Sequence, residues 1–297
     1  MTVPERDPLR LHVEDPTLFR EAVGFTASET RFAARLVEKD YFSSVLLRHL
    51  AAADAGLVFR GGTCLAKVHA RFYRLSEDLD FLVPTPVDAS RADRSDRAQA
   101  AKRAVARIAE ALPGLRVVAP LRGANDSRQY AATIGYETLV SPHAETIKVE
   151  LGLREPLLTD PVQGEARTLL LDPVSGAPFV PSLRVTCVSR QEAMAEKLRA
   201  ALSRREVAIR DFYDVDHAVR QMGLRPEDDE LTALVRRKLA VPGNTPVDVT
   251  EARLAALKQQ VRAELRPVLR DSDFAEFDLE RAFATVADLA RHVSAQR

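Results

Sequence analysis

The spacing of hydrophobic and polar residues changes character several times along this chain. From 26 to 53 the apolar residues recur at helical spacing. Phe32, Leu36, Phe42, Val45 and Leu46 make one stripe, and Thr26 with Glu29 forms a capping box. Gly56 ends that helix. The run 57–59 predicts a short buried strand, Gly61-Gly62 a turn, and 63–73 a second helix. Residues 79–83 predict another strand, stopped by Pro84 and Pro86. A polar linker over 84–97 leads into an Ala- and Arg-rich helix that ends near Pro113-Gly114. Strand candidates follow at 115–119, 129–136 and 145–153, the last alternating Ile147, Val149 and Leu151 against Lys148 and Glu150. Prolines 156, 161, 173, 178 and 181 predict loops over 154–182, with at most one edge strand. From Ser189 onward the period is helical, and the helix over 189–203 opens with a second capping box, Ser189 with Glu192. Strands ahead of helices predict an α+β fold, with one domain over 1–187 and a helical domain over 188–297.

Composition narrows the function classes. With 297 residues, 46% of them hydrophobic, the chain can bury a core of that size. Basic and acidic residues balance at 43 each, which argues against coating nucleic acid by bulk charge and leaves room for a local basic groove. Cys64 and Cys187 stand far apart with no zinc spacing and no disulfide framework, as expected of a reduced cytoplasmic protein. No apolar run approaches the roughly 20 residues that span a bilayer, so no membrane partner is expected.

The candidate chemistry lies in Leu75-Ser76-Glu77-Asp78-Leu79-Asp80-Phe81. In a strand, residues two apart share a face, so Ser76, Asp78 and Asp80 point one way while Leu79 and Phe81 point into the core. Two carboxylates about 6–7 Å apart at the backbone repel unless cations intervene, and two Mg²⁺ ions about 3.5–4 Å apart would equip them for in-line phosphoryl or nucleotidyl transfer. Upstream, Gly61-Gly62-Thr63 joins a strand to a helix N-terminus, where exposed N–H groups suit a triphosphate. Asp-x-Asp alone is a weak signal, since most such pairs are solvated strand ends or turns; the order strand, Gly-Gly, helix, acidic strand raises its value.

Phe59-Arg60-Gly61-Gly62-Thr63-Cys64-Leu65-Ala66-Lys67 followed by Arg74-Leu75-Ser76-Glu77-Asp78-Leu79-Asp80-Phe81 resembles the first motif of the AbiEii family. These are toxin nucleotidyltransferases of abortive-infection and toxin–antitoxin operons, and they share a DNA polymerase β-type nucleotidyltransferase core. The resemblance implies that Asp78 and Asp80 bind metal and that Gly62 and Thr63 contact nucleotide phosphates. A third carboxylate is expected from a neighbouring strand. Glu150 is the best placed, with Glu145 and Glu137 as rivals, and a solvated Lys148–Glu150 pair is the plain alternative.

Downstream, Ala193, Met194, Leu198 and Ala201 form a buried stripe with Lys197 beside it, able either to snorkel or to reach a phosphate. Asp211 and Asp214 fall one helical turn apart, which alone suggests a dipole-stabilised acidic first turn. Glu196-Lys197 with Arg210-Asp211-Phe212-Tyr213-Asp214 resembles the family's second block, which implies Lys197 at the phosphates and Asp211 in the catalytic centre. The expected nucleotide-binding set is Gly61, Gly62, Thr63, Lys67, Ser76 and Arg210, and Asp78, Asp80 and Glu150 are expected to hold the metals. Arginines 199, 204, 205 and 210 read either as a solvated face or as a clamp on an RNA 3′ end. His69, His143 and His217 lack metal-ligand spacing.

The function expected from these readings is NMP transfer from an NTP to an RNA 3′ hydroxyl. The tRNA acceptor end is the family's suggested target, translation is blocked as a result, and a cognate antitoxin restrains the enzyme. NMP transfer to a protein hydroxyl, as in AMPylation, and a catalytically silent nucleotide-binding regulator are the alternatives.

Overall fold

The computed structural model describes residues 7–53 and 55–295. The chain divides into two compact units. One comprises Met1–Pro156 and Pro161–Cys187, the other Leu157–Asp160 and Val188–Arg297.

The first unit is built on a seven-stranded mixed sheet. Its strands are β1 (Val58–Arg60), β2 (Leu79–Leu82), β3 (Leu115–Ala124), β4 (Gln129–Tyr136), β5 (Glu145–Gly152), β6 (Val162–Ala166) and β7 (Leu183–Cys187), in the order β3-β4-β5-β2-β1-β7-β6. β1 runs antiparallel to β2, while β2–β5 and β1–β7 are parallel. β3 and β6 are the edges. Pro120, with no N–H to give a ladder, lies on edge strand β3 where its register slips. β6 is the edge strand expected inside the proline-rich stretch. β7, which periodicity left unassigned, sits beside β1.

The long helix expected over 26–53 is two helices, Pro16–Thr30 and Ala34–Ala51. Asp15 caps the first, accepting from Leu18 N at 3.0 Å, with proline in the first turn. Thr26 lies inside it and caps nothing, for its buried hydroxyl accepts from Leu171 N at 2.8 Å. Arg31, left-handed at φ 64°, ends it. The second helix is buried nearly all round. Its apolar stripe is joined by Glu38, Lys39, Asp40, Ser43 and Ser44, all buried.

The helix expected over 63–73 starts earlier and stops sooner. Gly61–Cys64 is a short α-helical turn, Leu65–His69 a π-helical one, and Arg71 and Phe72 leave it at φ 51° and 58°. The linker at 84–97 hides a helix at Arg91–Arg97, capped by a Ser90–Asp93 box.

The second unit is helical: Arg190–Ser203, Ile209–Met222, Asp229–Leu239, Glu251–Gln260 and Leu279–Ala295 are its longer elements. Ser189 caps the first by accepting from Glu192 N at 3.1 Å, but Glu192 does not close the box. Its carboxylate is buried against Lys238 at 2.7 Å and accepts from Thr159 N at 2.9 Å. Pairing a buried charge outweighs returning it to an exposed cap. Sheet-bearing and helical parts together make the α+β class. Among the described residues, no helix is long and apolar enough to cross a membrane.

Candidate active site

Three strands carry the acidic centre. Phe59 and Phe81 oppose one another across β1 and β2, their rings 5.5 Å apart, and they commit one face of the sheet to the core. Alternation then sends Asp80 to the other face, in register with Arg60 on β1 and with Glu150 on β5. In-register residues of adjacent strands lie about 4.8 Å apart at the backbone, so Asp80 and Glu150 are direct neighbours. Asp78 stands just ahead of β2, its carbonyl accepting a short hydrogen bond from the Thr63 hydroxyl.

Charge reports the same crowding. Burial raises the Asp78 pKa, and the negative charge of Glu150 pushes it further, against the partial relief of Lys148. Lys148 is ion-paired to Glu150 and held more firmly protonated by that bond, with Asp78 and Asp80 adding to it. One lysine thus faces three carboxylates.

Gly61 and Gly62 are set by close approach. Gly61 has φ +77°, and a Cβ built on it would fall 2.8 Å from both Cβ and Cγ of Asp80. A Cβ on Gly62 would meet Nη2 of Arg74 at 2.6 Å and the Ser76 hydroxyl at 3.0 Å. The Gly-Gly-Thr turn therefore lies directly against the acidic segment, bringing Gly61, Gly62, Thr63, Ser76, Asp78 and Asp80 together.

Glu77, immediately before Asp78, turns away to a bracket that sequence reasoning missed. Arg35 and Lys39 each bind it at 3.1 Å, and the same two cations reach Glu145 at 3.3 and 3.4 Å. Burial alone would raise the Glu77 pKa, but Lys39 and Arg35 carry it below the usual carboxylate value. Two cations at i and i+4 of an otherwise buried helix were the available signal. The bracket occupies Glu145. Glu137 is exposed and lies beyond β4, so of the three rivals Glu150 alone opposes Asp80.

Lys67 departs from expectation. Its ammonium is buried, 2.6 Å from Asp40 and 2.8 Å from the Ser44 hydroxyl, with the Arg167 carbonyl at 3.3 Å. A lysine whose donors are spent in a buried pair is a structural member, and we do not count it among nucleotide ligands.

In the second unit Lys197 bridges Asp211 at 3.0 Å and Asp214 at 2.8 Å, and Arg204 adds to Asp211 at 3.1 Å. Burial would raise the Asp211 pKa, but Lys197 and Arg204 hold it down. Lys197 is therefore neither snorkelling into solvent nor solitary. Arg210 donates to the Glu264 carbonyl at 3.3 Å.

A model of the family described as nucleotidyl transferase AbiEii toxin, Type IV TA system, matches residues 45–288. Among solved structures, the chain is similar to MenT4, a nucleotidyltransferase toxin from Mycobacterium tuberculosis H37Rv. Identity is 19% and the TM-score 0.52, with 93% of this chain and 99% of that one covered. JHP933 from Helicobacter pylori is similar at 16% identity and a TM-score of 0.50, over 87% of this chain and 93% of its own. At such identities the likeness shows a shared fold. No curated protein matches the chain. The family match takes in the Gly-Gly turn, the acidic strand and the Lys197 helix alike, and on that ground this chain belongs to the AbiEii family of nucleotidyl transferase toxins of Type IV toxin–antitoxin systems.

Proposed function

We propose that the chain transfers a nucleoside monophosphate from an NTP to the 3′ hydroxyl of an RNA, with the tRNA acceptor end as the expected target. The observation that carries this reading is the register of Asp80 with Glu150, with Asp78 just ahead of β2 and near enough to feel the Glu150 charge. An all-oxygen, multiply anionic donor set fits Mg²⁺ far better than a soft metal. Bound there, Mg²⁺ would neutralise charge on the triphosphate and on the attacking and leaving oxygens.

The chain's own residues supply the rest. Gly61, Gly62 and Thr63 let the nucleotide approach the backbone, and Ser76 flanks that approach. One of Asp78, Asp80 and Glu150 helps take the proton of the attacking 3′ hydroxyl. The 3′ oxygen forms its bond to the α-phosphorus as the α–β bridge bond breaks, and pyrophosphate leaves with the electron pair. Lys197, its ammonium oriented by Asp211 and Asp214, is proposed as a point charge for phosphate oxygens. An antitoxin partner follows from the family.

The test incubates the protein with each α-labelled NTP, Mg²⁺, total tRNA and lysate protein, beside Asp80→Ala. Label on RNA that vanishes in the variant is expected. Label on protein instead would overturn the RNA acceptor, and label that persists in Asp80→Ala would overturn the site.

A further inference from the structure

Cys64 and Cys187, 123 positions apart in sequence, meet in the fold. Cys64 closes the short helix Gly61–Cys64, and Cys187 ends β7, in register with Phe59 of β1. Both are buried, and His69 joins them half-buried; Sγ of each cysteine and a ring nitrogen of the histidine all lie within 4.8 Å of one another.

Two local features build this cluster. The first is the π-helical turn Leu65–His69, in which Ala70 N donates to Leu65 O at 2.8 Å. In an α-helix, residues five apart diverge by about 140° around the axis. A turn with i→i+5 bonding returns them toward one side and so sets His69 toward Cys64. The second is Gly164 on β6. A Cβ there would fall 2.8 Å from the Cys187 Sγ, so the glycine leaves the sulfur its space.

We propose that Cys64, His69 and Cys187 form a binding site for a soft metal ion, Zn²⁺ held by two thiolates and one imidazole with water as fourth ligand. Tetrahedral zinc, with bonds of about 2.3 Å to sulfur and 2.0–2.1 Å to nitrogen, sets its ligand atoms roughly 3.5–3.8 Å apart, so the observed spread closes with small side-chain adjustments. The histidine decides between metal and disulfide, since a disulfide would use the sulfurs and leave the imbalance of a third convergent ligand unexplained. Each thiol loses its proton as the metal binds, so uptake is favoured as pH rises. Zinc there fastens the segment carrying Gly61-Gly62-Thr63 to β7. It is chemically separate from the Asp78–Asp80–Glu150 centre, whose hard oxygens select a different ion.

The chelator-stripped, reduced full-length chain is titrated with Zn²⁺ alone and with Co²⁺ alone. One equivalent per chain, a thiolate-to-cobalt charge-transfer band and a rise in Tm with Zn²⁺ are expected. Cys64→Ser and Cys187→Ser should lose the band. His69→Ala, at the accessible rim, should weaken uptake by more than the roughly 10–100-fold that an outer-sphere partner costs. Circular dichroism of each variant guards against mere misfolding. Asp80→Ala should bind Zn²⁺ as wild type does, so failure here and failure of the catalytic reading are distinguishable. No cobalt band in the wild-type protein, uptake that survives both cysteine substitutions, or a Cys64–Cys187 disulfide forming in place of metal uptake would overturn the proposal.

Discussion

Asp80 leaves no room for a side chain at position 61, and Gly61 holds a backbone conformation that other residues adopt at a cost of about 1–2 kcal/mol. Adding overpacking at about 1–3 kcal/mol, Gly61→Ala should destabilise the chain by about 2–5 kcal/mol and abolish transfer. Urea unfolding and the labelling assay read the two effects. Asp78 makes an opposite prediction. Its raised folded pKa means the native state binds the proton more tightly than the unfolded chain. The stability this contributes is fully present below the ordinary carboxylate value of about 3.9 and is lost as pH rises through the folded value. Asp78→Asn should therefore be more stable than wild type at pH 7 and should flatten that slope. Mg²⁺ should raise the Tm of the wild type and leave Asp78→Asn unmoved; equal Mg²⁺ shifts in both proteins would count against a metal role for Asp78.

Among the elements, the helix pair around Arg31 invites a direct test. Arg31 is exposed and left-handed at a helix end, where glycine is the favoured residue. Arg31→Gly is expected to stabilise by up to about 1 kcal/mol, seen as a higher urea midpoint with an unchanged m-value. The helices bearing Lys197 and Asp211 answer to charge. Lys197→Met removes the cation shared by two buried carboxylates, leaving Arg204 on Asp211, and should cost about 3–5 kcal/mol. Because the Asp211 pKa is depressed, its share of stability is present above the ordinary carboxylate value of about 3.9 and disappears as pH falls below it. The acid limb of the unfolding curve should accordingly shorten in Lys197→Met. Alternation over β2 and β5 was legible in sequence, because Leu79, Phe81, Val149 and Leu151 commit one face to the core and leave Asp80 and Glu150 on the other. The break at Arg31 was not, since Thr26 and Glu29 imitate a capping box while the real cap, Asp15, lies eleven residues upstream. Nor were the Arg35–Lys39 bracket and the Cys64–His69–Cys187 cluster, because each joins residues that are remote in sequence.

For the whole molecule, balanced charge and a pI near 7.0 set the terms of any RNA encounter. Attraction must come from local arginines, and around the Lys197 helix Arg204 pairs with Asp211 and Arg210 donates to the Glu264 carbonyl. With about −0.7 per neutralised phosphate on a single strand, four contacts would give a salt slope near −3. RNA affinity should follow log salt with a slope between about −1 and −3, measured by filter binding, and a markedly steeper dependence would point to a basic surface outside that group.

The fit of Asp80 over Gly61 also has a history-dependent side. A lineage that replaced residue 80 by glycine, removing the Cβ as well as the carboxylate, would free the space above residue 61, and a larger residue could then settle there at the cost of backbone conformation. Once filled, that position would bar the aspartate from returning. Loss of toxicity by this route works as a ratchet, and surviving escape variants can be sorted by whether position 61 has already closed behind them.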